Sequence, residues 1–186
     1  MELRPLGIDG VIEIIPKKFA DARGYFAETY VRERFRSAGI AQEWVQDNQS
    51  FSLETGVLRG LHFQVSPFAQ DKLIRVLRGS IFDVAVDIRK DSPTLGRWVS
   101  CMISAAAFNQ LYVPKGFAHG YVTLEPGTEV FYKVTAPYAP ACDRSISFAD
   151  PAINIAWPLP SSTLILSDKD RKAPLLADII ADVSFD

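Results

Sequence analysis

A histidine inside an apolar run is a candidate acid–base group. The stretch Gly56 to Ile88, GVLRGLHFQVSPFAQDKLIRVLRGSIFDVAVDI, carries one of the chain's two histidines, with arginines, a lysine and aspartates set among Val, Leu, Ile and Phe. A strand buried on both faces is ordinarily apolar throughout, so these charges need a reason to be there. An imidazole of ordinary pKa, about 6.5, exchanges protons near neutrality, and a guanidinium binds anions through a planar fork. His62 and Arg59 supply these groups three positions apart. Residues at odd separation on a strand face opposite ways, so both reach one cavity only across a bulge. Gly60 is the natural place for it. That cavity is the expected active site.

Other polar residues have plainer readings. Asp83 and Asp87 share one strand face at even spacing, which suits a metal site, an acid–base dyad or structural salt bridges. Arg75, Arg78, Arg89 and Lys90 read as surface charge, and Trp157 as packing. Cys101 and Cys142 share no metal-ligand spacing and are too few for a disulfide framework, so two reduced thiols are expected.

The elements that must position these groups are mostly strands. Gly10–Pro16 and Tyr25–Tyr30 read as strands around the turn Asp21-Ala22-Arg23-Gly24, which puts Arg23 at a strand mouth. Val31, Phe35 and Ala38 recur at helical spacing before Gly39 and predict a short surface helix. Extended structure follows over Trp44–Asn48, Ser50–Leu53 and Gly56–Gln64. Lys72–Leu77 and Ile81–Ile88 then read as a hairpin around Arg78-Gly79-Ser80. Trp98–Ser104, Leu111–Pro114, Gly120–Leu124 and Glu129–Thr135 continue the series, with Gly116 and Gly120 as turn residues. The proline-rich segment Pro151–Pro160 is expected to lie flat over the barrel. Leu175, Leu176, Ile179, Ile180 and Val183 predict a closing amphipathic helix begun by Pro174. Strands recurring about every eight to twelve residues predict an all-β jelly-roll sandwich with short helices near the N-terminal third and at the C-terminus.

Length and charge bound the rest. The 186 residues fit a single domain spanning 1–186, and the composition, 48% hydrophobic and 23% charged, is that of a globular protein. A net charge of −2 gives no overall drive toward nucleic acid or anionic membrane, so an anion must be caught by a local cluster. No apolar run approaches the roughly 20 residues of a membrane helix, and the first ten residues lack a signal-peptide core. A cytoplasmic protein is expected.

Residues 112–120, YVPKGFAHG, contain Pro-x-Gly-x-x-His, which resembles the second motif of the cupins, small jelly-roll barrels. The accompanying segments are more specific: DARGYFAE at 21–28, QDNQS at 46–50, GVLRGLHFQ at 56–64, QDKLIRVLRGSIFDVAVDIR at 70–89, EVFYKVT at 129–135 and LSDKD at 166–170. In this order, over nearly the whole chain, they resemble the dTDP-4-dehydrorhamnose 3,5-epimerase family. The resemblance implies a cupin-type fold, a homodimer whose N-terminal strands cross to the partner, and no metal or organic cofactor. It implies His62 as base, Tyr132 as acid, and Asp170 as the partner that orients His62. It also implies nucleotide-sugar contacts from Arg23, Glu28, Gln46, Asp47, Asn48, Arg59, Lys72, His119 and Lys169, with Arg23 and Glu28 reaching the other subunit's site. Tyr138 matches a residue that stacks on thymine, and Asp143 stands where many relatives have glutamate. For Asp83 and Asp87 the resemblance favours salt bridges.

The implied chemistry needs these groups. The substrate would be dTDP-4-dehydro-6-deoxy-D-glucose, whose C4 ketone acidifies the C–H bonds at C3 and C5. Epimerisation to dTDP-4-dehydro-L-rhamnose is then proton removal from one face and return to the other. Positioned acids and bases contribute roughly 10²–10⁴-fold to such steps. Lys72 is the candidate donor to the developing oxyanion. Three alternatives stand beside this reading. One is an epimerase of C5 alone or C3 alone on another dTDP-4-keto sugar. A metal-dependent cupin is disfavoured because two histidines cannot form the usual three-histidine set. A non-catalytic sugar-nucleotide-binding jelly roll gives no reason for His62, Tyr132 and Asp170 together.

Overall fold

The structure, a computed structural model, describes residues 1–185. Thirteen strands follow in order: β1 (Glu2–Pro5), β2 (Ile12–Ile15), β3 (Lys18–Asp21), β4 (Gly24–Ala27), β5 (Gln46–Ser52), β6 (Leu58–Gln64), β7 (Lys72–Arg78), β8 (Ser80–Asp87), β9 (Trp98–Ser104), β10 (Gln110–Val113), β11 (Phe117–Thr123), β12 (Thr128–Val134) and β13 (Asp143–Ser145). The helices are short: α1 (Arg32–Ser37), α2 (Asp168–Arg171) and α3 (Leu176–Ile179). Six strands form one antiparallel sheet in the order β1-β2-β10-β7-β12-β5, and five form a second in the order β13-β6-β11-β8-β9. The expected jelly roll is present. No helix among the described residues is long and apolar enough to cross a membrane.

The two sheets face each other over a core that includes Ile74, Val76, Ala85, Leu111, Phe117 and Val130. Each outer face is also covered in part. The α1 segment lays Phe35 and Ile40 on Ile14, Leu73 and Tyr112 of the six-stranded sheet. The C-terminal third lays Ile146, Ile153, Leu176 and Val183 on Leu61, Phe63, Val84 and Val86 of the five-stranded one. Burial on both faces explains why β8 and β11 show no alternation of buried apolar and exposed polar residues. Pro151–Pro160 lies over this face as expected, with Trp157 donating its indole N–H to the Phe148 carbonyl at 2.8 Å.

The structure corrects several readings. Lys72–Arg78 and Ser80–Asp87 do not pair: β7 belongs to the six-stranded sheet and β8 to the five-stranded one. Gly79, at φ +78°, makes a corner between sheets rather than a hairpin. Its local signal is the same in both cases, because only the distant partners β10, β12, β9 and β11 decide the difference. Gly120 is mid-strand in β11, not in a turn. The strand read at Tyr25–Tyr30 is shorter, β4 at Gly24–Ala27, and it pairs with β3, which was not read as a strand, in a hairpin that joins neither large sheet. Strands β1 and β13 had no alternating apolar signal to find, and both are short edge strands. The closing amphipathic helix shrinks to the single turn of α3 and a 3₁₀ turn at Ile180–Asp182. Its N-cap is Leu175, one residue beyond Pro174, and the Leu176 N–H donates to the buried Asp150 carboxylate at 2.7 Å. That anchor, with Leu176 and Val183 buried on the sheet, fixes the segment without a longer helix.

Candidate active site

A pocket of about 260 Å³ opens between the sheets. Its lining includes Gln46 and Asn48 from β5, Arg59 and His62 from β6, Lys72 from β7, His119 and Tyr121 from β11, and Tyr132 from β12. Tyr138, Asp143 and Lys169 complete the mouth. Because β5, β7 and β12 belong to one sheet and β6 and β11 to the other, His62 and Tyr132 stand on opposite walls of one cavity.

The bulge that brings Arg59 and His62 to the same pocket is present. On β11, His119 pairs with His62 and Tyr121 pairs with Arg59, so two residues of β6 oppose Gly120 alone. Gly60 takes φ +137°, a value that suits glycine.

His62 Nε2 lies 2.5 Å from Asp170 Oδ1. An ionised carboxylate can only accept, so Nε2 carries the proton and Nδ1 is left as the basic nitrogen. Asp170 is nearly fully buried, which alone would raise its pKa, but the hydrogen bond and charge of His62, with Ser167 and Lys169, hold it below the usual carboxylate value. Asp170 does not cap the helix it sits in. Ser167 is the N-cap of α2, its Oγ accepting from the Asp170 N–H at 3.1 Å, and the carboxylate is free to turn to His62.

Lys72 is buried, and its Nζ donates to the His62 carbonyl at 3.2 Å, tying the two walls together. Burial pushes its pKa down to about 8, against the fields of Asp83 and Asp143. Burial raises the Tyr132 phenol above its ordinary value, offset in part by the Arg59 guanidinium, so it stays protonated at neutral pH. His119 turns Nε2 to both Asp83 oxygens, at 2.8 and 2.9 Å. Asp83 and Asp87 are therefore not a pair, since Asp87 binds Arg89 at 2.7 Å together with Ser92 and Thr94. Arg89 is thus half-buried over the Phe117 ring rather than simple surface charge.

At the mouth, Gln46 donates to Asn48 Oδ1 at 2.7 Å and accepts the Tyr138 N–H at 3.0 Å. The Tyr138 hydroxyl donates to Asp143, which also pairs with Lys169, and the Tyr138 ring is left 59% exposed.

Four candidates do not line this pocket: Asp170 acts on it through His62, and Asp47, Arg23 and Glu28 stand away from it. Asp47 sits between two inward-facing residues of β5 and so points to the other side, where it pairs with Lys133 at 2.8 Å; the period of two excludes it. Arg23, with 90% of its side chain exposed, is at the tip of the β3–β4 hairpin on Asp21, and Glu28 pairs with Arg34 near α1. Sequence reasoning also missed pocket residues. Tyr121, whose hydroxyl is 2.8 Å from Ser50 Oγ and whose pKa burial pushes up to about 12, follows His119 by two positions. Gln64 follows His62 by two. Strand alternation applied to the two histidines would have found both.

A double-sheet jelly roll with a histidine–carboxylate pair facing a phenol across a polar pocket defines an enzyme of proton-transfer type. Comparison with known proteins makes this specific. The family model for dTDP-4-dehydrorhamnose 3,5-epimerase matches residues 5–178, and the chain belongs to that family. The Sinorhizobium fredii protein named dTDP-4-dehydrorhamnose 3,5-epimerase is 49% identical over 179 residues, covering 96% of this chain and 91% of that protein. A Legionella pneumophila epimerase, solved in complex with dTDP-4-keto-L-rhamnose, superposes with a TM-score of 0.94 at 43% identity, covering 100% of this chain and 98% of that one. A Bacillus anthracis dTDP-4-dehydrorhamnose 3,5-epimerase, solved with TDP and PPi bound, gives 0.90 at 45% identity, covering 94% and 98%.

Proposed function

We propose that the chain, as one catalytic domain over residues 1–186, epimerises dTDP-4-dehydro-6-deoxy-D-glucose at C3 and C5 to dTDP-4-dehydro-L-rhamnose. The observation that carries this reading is the placement of His62 and Tyr132 on opposite walls of one pocket. His62 Nδ1 removes the proton beside the ketone, and Asp170 stabilises the imidazolium that forms. The Lys72 ammonium meets the negative charge that develops on the ketone oxygen. Tyr132 returns a proton from the other side, its phenol still protonated at pH 7 yet acidic enough for a carbanion. Carbon never changes oxidation state in this sequence, so the chemistry calls for no redox cofactor.

Arg59 suits the diphosphate, and Tyr138 with Gln46 and Asn48 suits the thymine. The β3–β4 hairpin is the arm of a homodimer. It presents Phe19, Tyr25 and Phe26, the last 67% exposed, and carries Arg23 and Glu28 toward the partner's pocket. Two buried, unpaired cysteines fit a reducing compartment, and the enzyme acts in the cytoplasm.

The test is turnover in D₂O read by NMR. Deuterium at both C3 and C5 with the L-lyxo product supports the assignment, inversion at one carbon reassigns it to a mono-epimerase, and incorporation at neither carbon ends it.

A further inference from the structure

Asp83 has no solvent exposure, projects from β8 into the space between the sheets, and takes no part in the proton transfers just described. A carboxylate so buried is costly unless paired, so its partners define its role. One partner is His119 Nε2, within hydrogen-bond distance of both its oxygens. A nitrogen pressed against a carboxylate carries its proton there, which leaves Nδ1 as the ring nitrogen for a ligand in the pocket. Lys72 makes no direct ion pair with Asp83, its Nζ donating to the His62 carbonyl, but it is close enough that its charge disfavours a proton on either Asp83 or His119. Burial pushes the Asp83 carboxyl up and the His119 imidazole down, and the Lys72 cation lowers both, which favours the arrangement with anionic Asp83 and neutral His119.

We propose that Asp83 is a positioning residue of the epimerase site. It fixes His119 as the Nε2–H tautomer, which offers its Nδ1 lone pair to a sugar hydroxyl, and it is the counter-ion that keeps Lys72 charged beside the ketone. The inference rests on the reaction assigned above. The charged and titratable groups around Lys72 are Asp83 and His119 of the five-stranded sheet, Asp143 of β13, Lys169 of α2 and His62 of β6. Around Asp83 they are His119, Lys72, Tyr121 and Cys101. Asp83 opposes Lys72's desolvation more than any other of these groups, and Lys169 adds to it.

Two measurements test this. In ¹⁵N-histidine-labelled wild-type enzyme at pH 7, His119 should show a protonated Nε2 and a bare Nδ1; the opposite tautomer, or an imidazolium, overturns the proposal without any variant. In the pH profile of kcat, Asp83→Asn should lower kcat by about 10²-fold, the scale of one lost electrostatic contact to an oxyanion. It should also move the alkaline limb, set by Lys72, at least one unit toward acid while dTDP affinity stays within threefold. His119→Asn, which leaves the Asp83 carboxylate near Lys72, should lower kcat without moving that limb. An unmoved limb in folded Asp83→Asn, or an equal shift in His119→Asn, overturns the counter-ion role. Should Asp83→Asn not fold, the His119→Asn profile and the tautomer still decide. A wild-type enzyme that exchanges no hydrogen at C3 or C5 refutes the reaction itself and leaves the tautomer result standing separately.

Discussion

A Cβ placed on Gly60 would lie 2.5 Å from the Cα of Gly120 on the neighbouring strand, so β6 and β11 touch backbone to backbone at these two residues. The contact sits at the bulge, between the two cross-strand pairs His62–His119 and Arg59–Tyr121. All four of these side chains line the pocket. Closing the bulge by one residue would turn either Arg59 or His62 out of the site.

Gly60→Ala tests this relationship. The added methyl meets backbone, which cannot rotate away, at a φ of +137° that side chains rarely adopt. A strained φ costs about 1–3 kcal/mol and overpacking about as much again, so urea melts should show a loss of roughly 2–5 kcal/mol. Gly120→Ala, at ordinary φ with its nearest contact at 2.9 Å, should cost less.

The pairing of His62 with Asp170 predicts separate effects on rate and on stability. Asp170→Asn can donate to Nε2 and favour the wrong tautomer, so kcat should fall by about 10²–10⁴-fold with dTDP binding intact in calorimetry. Asp170 has a folded pKa below its unfolded value, so the native state binds fewer protons. Its stabilisation is present above about pH 4 and is lost as pH falls through the native value. Chemical denaturation between neutral and acid pH should therefore show a shallower acid loss in Asp170→Asn than in wild type.

Tyr132→Phe separates removal of the proton from its return. His62 still abstracts, while the opposite wall has lost its donor. Incubation in D₂O should place deuterium in recovered substrate of unchanged configuration, with net inversion down by about 10²-fold or more. Loss of exchange and inversion together would mean that Tyr132 does more than reprotonate.

Much of this site could be read in the chain before the fold was known, for reasons that are local. Gly60 between Arg59 and His62 declared a bulge through the mismatch of odd spacing and a shared cavity. Strand cores such as Trp98–Ser104 showed themselves through β-favouring composition. What failed was non-local. Whether Gly79 turns a strand back on its neighbour or over to the other sheet depends on partners far along the chain. Asp47 was carried in with Gln46 and Asn48, although alternation puts it on the other face. Asp83 looked like an ordinary salt bridge, because its partner His119 belongs to a strand more than thirty residues on.

Gln64 predicts an effect on affinity without one on chemistry. Its amide donates to the Phe68 and Pro137 carbonyls and accepts the Ala139 N–H at 2.7 Å, which pins the segment that carries Tyr138. Gln64→Leu leaves those groups unpaired and the mouth loose. KM for the nucleotide sugar should rise by about tenfold, worth roughly 1.4 kcal/mol, with kcat nearly unchanged, the pattern of lost uniform binding.

The exposed hairpin allows a test of where Arg23 acts. In a twofold dimer with crossed arms, each pocket holds its own His62 and the other subunit's Arg23. His62→Asn and Arg23→Ala homodimers should both be crippled. In a mixed dimer, one pocket then carries both lesions and the other carries neither. Random reassembly of equal amounts makes half the dimers mixed, each with one intact site, so activity should recover to about a quarter of wild type. An Arg23 that served its own chain's pocket would leave every site with one lesion, and mixing would restore nothing. Phe26→Asp supplies the matching physical measurement: charging the arm's most exposed aromatic should shift the light-scattering mass toward the monomer and weaken dTDP binding together, because the site is completed by the arm.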